Sequence, residues 1–190
     1  EYTEPELTYL ILDFRKEKKT RRCFESIKKH THFSHKIIYL HNGTGVDYPH
    51  TLFREGLIDQ FIQTRSNNGL GIGTRDLFAA SFSPWSFYLQ NDQTLKRDFT
   101  QGEFNEIKNI VGTALQSPED GSVWTVMSVD LAGGMAGLHT YSERAHIVPT
   151  AFYKKMEEVQ KLNHRGAGPY HEDPWREKQV QYFYKEQKYL

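Results

Sequence analysis

Leu7-Thr8-Tyr9-Leu10-Ile11-Leu12 and Lys36-Ile37-Ile38-Tyr39-Leu40 are the two stretches whose reading decides the fold. Each is a short, nearly continuous apolar run rich in β-formers, the pattern of a strand buried on both faces inside a parallel sheet. Between them Cys23, Phe24 and Ile27 recur at helical spacing, with Thr20 placed to cap that helix. Strand, helix, strand in this order is a βαβ unit with a right-handed crossover. The second strand stops at His41-Asn42-Gly43-Thr44-Gly45, a run of turn formers.

The pattern extends along the chain. Leu57 to Thr64 reads as a third strand, and a glycine-punctuated stretch follows from Asn67 to Gly73. Thr74 to Ser81 reads as a helix, and Trp85-Ser86-Phe87-Tyr88-Leu89 as a strand ending at Gln90-Asn91-Asp92-Gln93. Thr100 with Glu103 is a capping box, opening a helix that carries Phe104, Ile107, Val111 and Leu115 on one stripe. Val123 to Val129 and Ala145 to Val148 read as strands, and Phe152, Met156 and Val159 mark a further helix. Asp173-Pro174 gives an N-cap and first-turn proline for a last one. Ala132 to Tyr141 and His164 to Asp173 read as irregular segments, the former as a mobile loop or an exposed binding surface. The alternation predicts one three-layer α/β/α domain over 1–190 with a mainly parallel central sheet.

Composition narrows the partners. The 190 residues hold 24 Lys+Arg against 24 Asp+Glu, a formal net charge of zero, which argues against a chain-wide attraction to nucleic acid or anionic membrane. Hydrophobic residues make up 37% and aromatics 14%, so large rings do much of the core filling. One cysteine rules out an internal disulfide and a multi-cysteine zinc site, and points to a reducing, cytoplasmic compartment. No run approaches the ~18 apolar residues of a membrane span, and the first residues lack the layout of a signal peptide.

Ligands of open α/β sheets bind beyond the carboxyl ends of the strands. Four such ends are polar directly after an apolar strand: Asp13-Phe14-Arg15, His41-Asn42-Gly43, Asn67 to Gly73, and Gln90 to Gln93. Gly69-Leu70-Gly71-Ile72-Gly73 meets neither the dinucleotide nor the P-loop spacing. It is either a flexible turn into the next helix or a place where backbone N–H groups approach a diphosphate, with Arg75 adding positive charge. Six cations fall between Arg15 and Arg22, a solvated face of which one or two could meet phosphate. Asp92 is either a turn aspartate or an oxygen ligand for Mn2+ or Mg2+, which one carboxylate and substrate phosphates can hold. Asp173 is either an N-cap or a base for an incoming hydroxyl, or both. Cys23 lies on the apolar face of its helix and reads as core.

Taken in order, these stretches resemble the nucleotide-sugar-binding part of GT-A glycosyltransferases of the family-two type. Tyr39 to Thr44 is similar to the second-strand ending V-D-N-G-S, with His41 where an acid is common. Asn67-Asn68-Gly69-Leu70-Gly71 through Arg75-Asp76 resembles the N-x-G-x-x-x-x-R-N segment. Phe87 to Asp92 resembles the strand leading into D-x-D, with Gln90 in place of the first acid. Glu172-Asp173 resembles the late E-D motif. The resemblance implies a GT-A, Rossmann-like nucleotide-diphospho-sugar transferase fold and transfer of a sugar from a nucleoside diphosphate-sugar to a hydroxyl of a glycan, lipid or protein acceptor, with inversion. It further implies that Asp13, Arg15, His41 and Asn42 hold base and ribose. Asn68, Gly69, Gly71 and Arg75 would approach the diphosphate or the donor sugar, alongside Gln90 and Asn91. Asp92 would ligate Mn2+ or Mg2+, and Asp173, with Glu172 beside it, would take the acceptor's proton. The missing acid at Gln90 motivates a second reading, a non-catalytic nucleotide-sugar or carbohydrate-binding domain on the same scaffold. A nucleotidyltransferase, releasing pyrophosphate, is a third.

Overall fold

The computed structural model describes residues 3–115, 126–130, 134–139, 145–151 and 153–154. They form a seven-stranded sheet in the order β3-β2-β1-β4-β7-β5-β6. The strands are β1 (Leu7–Asp13), β2 (Lys36–His41), β3 (Gln60–Gln63), β4 (Trp85–Gln90), β5 (Val126–Asp130), β6 (Gly134–His139) and β7 (His146–Pro149). The first four are mutually parallel, with Leu12 opposite Leu40 on one side and Gln90 on the other. The last three are added antiparallel. The helices are α1 (Glu17–His30), α2 (Tyr48–Arg54), α3 (Gly69–Ala80) and α4 (Gln101–Leu115).

All seven residues of β1 are buried, and their alternation divides the core into two layers. Tyr9 and Ile11 face a cluster that includes Phe24 and Ile27 of α1, Leu52 of α2 and Phe104, Ile107 and Val111 of α4. Leu10 and Leu12 face the opposite cluster, with Leu77 and Phe78 of α3, and Tyr153 stacked on Phe78 at 3.8 Å between centroids. Helices on both faces of a sheet with a parallel half give the three layers expected. The Thr100–Glu103 box is formed: the Thr100 N–H donates to Glu103 Oε2 (3.0 Å) and the Glu103 N–H to Thr100 Oγ1 (3.2 Å).

Several boundaries differ from expectation. Helix α1 starts at Glu17, with Thr20 inside its first turn rather than at its cap. The start moves forward because Asp13 Oδ1 accepts the Lys16 N–H (3.1 Å) and closes the turn at the strand end. Helix α2 was not anticipated; its signal is Pro49 in the first turn. The third strand is shorter, because Leu57 and Ile58 fall between α2 and β3. The glycine stretch is not a flexible turn but the start of α3. Gly69 makes the corner with φ +80°, a conformation glycine adopts without cost. Gly73 lets α3 lie against the sheet, since a Cβ there would sit 2.7 Å from Leu12 Cδ1. Part of the expected loop over Ala132 to Tyr141 is instead β6, paired with β5 in a bulged hairpin; the ladder overrides the weak strand preference of Gly134, Ala136 and Gly137. A helical turn opens at Thr150. Most of the helix expected through Met156 and Val159, and all of the one opened by Asp173, lie outside the described residues. No described helix is long and apolar enough to cross a membrane.

Candidate functional site

The chain order of the parallel strands reverses between β1 and β4: from β1 the sheet grows to β2 and β3 on one side and to β4 on the other. Beyond the carboxyl ends of strands flanking such a switch point the connections diverge and leave a crevice. Here it is a cavity of about 330 Å3, lined from β1 and its following turn by Leu12, Asp13, Phe14 and Lys16, and from β4 by Tyr88, Gln90 and Asn91. Asn42, Asn67, Gly69 and Leu70 close the third side.

Asp13 organises the floor. Its residue is 2% exposed, yet its carboxylate accepts from five donors. Oδ1 takes the Lys16 N–H and the Asn91 amide (2.8 Å); Oδ2 takes Tyr39 Oη (2.9 Å), Tyr48 Oη and His41 Nδ1 (3.1 Å). Burial alone would raise the carboxyl, but the hydrogen bonds from His41, Tyr48 and Tyr39 outweigh it and hold Asp13 below the ordinary carboxylate range. Burial, with the Asp13 charge adding to it, pushes the Tyr39 phenol up; burial and the bond to Asp13 do the same for Tyr48. Both phenols are therefore neutral donors, and Asp13 is the anion they solvate. A carboxylate offers about four lone-pair positions, so five donors saturate it. What Asp13 gives the crevice is negative charge and the placement of Asn91, whose amide also donates to Thr20 Oγ1 (3.2 Å).

The other expected residues divide into those that line the crevice and those that do not. Asn42 lines it, tied by its amide to the Gly69 carbonyl (3.0 Å), and Gly69, Gln90 and Asn91 line it too. His41 is 0% exposed and its ring supports Asp13 from beneath; its Nε2 is buried with no hydrogen-bond partner. Arg15, at φ +53°, holds its guanidinium 5.2 Å from the Phe14 ring centroid, outside the lining. Asn68 accepts from Ser66 Oγ (2.9 Å), and Asn67 stands in the lining instead. Gly71 and Arg75 are on α3; Arg75 is engaged through Nε and Nη2 with the adjacent Asp76 (2.9 and 2.8 Å). Glu172 and Asp173 lie outside the described residues.

Asp92 falls on a different surface. It lines a groove between α1 and the segment after β4, with Lys19 Nζ 4.0 Å from its Oδ2. The residues beside it in sequence, Gln90 and Asn91, are neutral amides, and no group of three or more His, Cys, Asp or Glu able to hold a metal exists among the described residues. Asp92 and Glu25, the carboxylates of this groove, stand among Lys19, Arg22, Lys29 and Lys96, a poor donor set for a hard divalent cation, which is held by several oxygens. The described residues around Asp92 do not fit Mn2+ or Mg2+.

Sequence reasoning placed Phe14 and Asn67 at ligand-facing strand ends and Lys16 among the cations that could meet phosphate, but singled out none of them, and it gave Tyr39 and Tyr48 no role. Phe14 carried a signal, an aromatic 41% exposed directly after a buried strand. Tyr48 carried none, because its place depends on α2.

Neither a protein-family model nor a curated protein sequence matches the chain. Solved structures do. The chain superposes on residues 1–349 of S. aureus TarS in complex with UDP with a TM-score of 0.57 at 10% identity, covering 80% of this chain and 49% of that one. The TarS 1–349 complex with UDP-GlcNAc gives 0.53 at 10% identity, with 80% and 48% covered. A further TarS structure gives 0.55, with 80% and 30% covered. The fold is thus the GT-A type that the resemblance implies. The chain spans about half or less of the length of these structures.

Proposed function

We propose that this chain is a glycosyltransferase domain that binds a nucleoside diphosphate-sugar in the β1–β4 crevice and passes the sugar to an acceptor hydroxyl with inversion. The observation that carries the reading is the crevice at the switch point, with a saturated, buried carboxylate beneath it and amide side chains around it. Asn42, Asn67, Gln90 and Asn91 offer donors and acceptors suited to a base edge and ribose hydroxyls. Phe14 presents a ring on which a base can stack. Helix α3 begins in the crevice wall at Gly69, where amino-end N–H groups favour a phosphate, and Lys16 adds the cation on the opposite side. The TarS structures with UDP and UDP-GlcNAc share this fold.

By the resemblance, Asp173 is the base that removes the acceptor's proton as the anomeric carbon is attacked, and Glu172 stands beside it. Glycan, lipid and protein hydroxyls all suit that step. The single cysteine, Cys23, is buried, which agrees with a reducing compartment such as the cytoplasm. A thermal-shift panel of nucleoside diphosphate-sugars, each with and without Mn2+, tests donor binding by linkage to the native state. A rise in Tm with one donor supports the reading, and no rise with any donor refutes it. The two arms also decide whether the metal implied at Asp92 is needed, given the Lys19 ammonium already there. Asp173→Asn is expected to spare the donor-induced shift and stop transfer; full turnover in that variant would remove Asp173 from the role.

A specific observation favours a second reading. Gln90 is neutral where D-x-D carries its first acid, and Asp92 lies in another groove. A donor-binding domain without transfer fits these facts. Donor-induced stabilisation with no hydrolysis or transfer across a broad acceptor panel would establish it.

A further inference from the structure

The groove that holds Asp92 is larger than the crevice, about 610 Å3, and it has its own chemistry. Lys19, Arg22 and Lys29 of α1 line one wall, and Lys96, from the segment after β4, lines the other. Among the described residues Arg22, Lys29 and Lys96 have no ion-pair partner, and the Lys19 ammonium stands 4.0 Å from Asp92 Oδ2. Two carboxylates, Glu25 and Asp92, face these four cations. The fifth basic group of the lining, His30, is engaged with Asp98 (2.8 Å).

The walls are fixed. Ser26 Oγ donates to the Cys23 carbonyl (2.7 Å) and accepts the Leu95 N–H (3.0 Å), joining α1 to the opposite segment. Leu95, Cys23 and Ile27 are buried in the core beneath. The groove is thus a concave surface with excess positive charge on a rigid frame, a geometry that concentrates anions. Lys19, Arg22 and Lys29 recur along one stripe of the helix, over about 15 Å of its axis at ~1.5 Å per residue. That length exceeds a single anion and matches several linked ones. Ammonium and guanidinium groups together favour phosphate oxygens, the guanidinium adding two-point contact.

We propose that this groove binds a ligand bearing two or more linked phosphates, held by Lys19, Arg22, Lys29 and Lys96 without a divalent cation. The phosphates belong to a molecule separate from the nucleotide of the crevice, whose diphosphate faces Lys16 and the start of α3. The proposal does not depend on the transferase reading, because the groove and the crevice are lined by different residues.

Calorimetric titration of the full chain with inorganic tripolyphosphate, in EDTA, tests it. Saturable binding is expected that weakens as salt is raised, since screening acts strongly on exposed charges. Lys19→Ala combined with Lys96→Ala, both exposed positions, should weaken it at least about tenfold, the scale of one or two lost charge-assisted hydrogen bonds. Lys18→Ala combined with Lys28→Ala, exposed on α1 but outside the groove lining, should change it less than about twofold. Repeating the titration with saturating nucleoside diphosphate checks that the two sites are separate: unchanged heat is expected, and lost heat would overturn the assignment to a second ligand. No binding in EDTA, or equal losses in the two double variants, would overturn the proposal. Failure here would leave nucleotide binding in the crevice untouched, and failure of nucleotide binding would leave this titration unaffected.

Discussion

Replacing Asp13 by asparagine keeps the size of the side chain and removes one charge and one acceptor. In the native chain Oδ2 accepts from Tyr39, Tyr48 and His41, while Oδ1 accepts from the Lys16 N–H and the Asn91 amide. An amide can place its single oxygen on only one of these sides. With the oxygen towards the phenols, its NH2 meets the Lys16 N–H, a backbone donor that cannot turn. With the amide reversed, the phenols can rotate to accept. The His41 Nδ1–H can then pass to Tyr48 Oη, 2.9 Å away, but the phenol O–H groups lose their carboxylate acceptor. Either way one buried donor is left without its partner, at about 1–3 kcal/mol, and the remaining bonds lose roughly half their strength with the charge. The expected loss is about 3 kcal/mol. Urea unfolding at neutral pH reads it: with m of about 1–3 kcal/mol/M, the midpoint falls by roughly 1–3 M. The native chain has a depressed Asp13 pKa, so its contribution is full above the unfolded-state value and is lost as pH falls through the folded one. The substituted amide cannot titrate, so this part of the acid dependence disappears in the variant. A variant within about 0.5 kcal/mol of the native chain, or one with unchanged acid sensitivity, would refute this account of the network.

Three further outcomes are expected. Gly73→Ala places a Cβ 2.7 Å from Leu12 Cδ1 and 3.0 Å from Asn42 Nδ2; overpacking at about 1–3 kcal/mol outweighs the ~1 kcal/mol gain in helix propensity, so a thermal melt should show a net loss of about 1 kcal/mol, and a gain would show that Leu12 moves freely. Phe14→Ala, at a half-exposed ring, should leave stability within about 0.5 kcal/mol yet weaken nucleotide binding about tenfold, on the scale of one lost base–aromatic stack; unchanged affinity would place the base elsewhere. Burial pushes Tyr9, Tyr39 and Tyr48 up, and Cys23 up to about 12. Stability from such groups is full below their unfolded values, roughly 8.5 for a thiol and 10 for a phenol, and is lost as pH rises towards the folded ones. Urea midpoints should therefore fall from about pH 8.5 and more steeply above 10, by at most about 1.4 kcal/mol per pH unit for each group; a flat profile to pH 11 would contradict the burial of these rings.

The layers were legible because Leu7–Leu12 and Lys36–Leu40 are apolar on both faces, which only an internal parallel strand requires. The same logic located the strand ends, and Asp13, Asn42, Gly69, Gln90 and Asn91 do meet at one crevice. What was not legible depends on packing between distant segments. Tyr39 was readable as a strand residue, but its hydroxyl reaches Asp13 only because β1 and β2 pair with Asp13 beside His41. Tyr48 joins them through α2, whose seven residues carry a weak periodic signal. Asp92 sits one residue from Asn91, yet it lines the groove along α1 and not the crevice. Sequence adjacency to a strand end did not determine which surface it faced. The glycines from Gly69 to Gly73 read as a loop because glycine weakens helices, whereas Gly69 turns the corner into α3 and Gly73 permits its close approach to Leu12.

The crevice between β1 and β4 is expected to receive a nucleoside diphosphate. Amide spectra of the isotope-labelled chain, titrated in turn with the diphosphates of the five common nucleosides, address it directly. One of them should give saturable shifts centred on Phe14, Asn42, Gly69 and Asn91. Absence of shifts with every nucleotide, or shifts gathered at the opposite ends of the strands around Glu6 and Trp85, would contradict it.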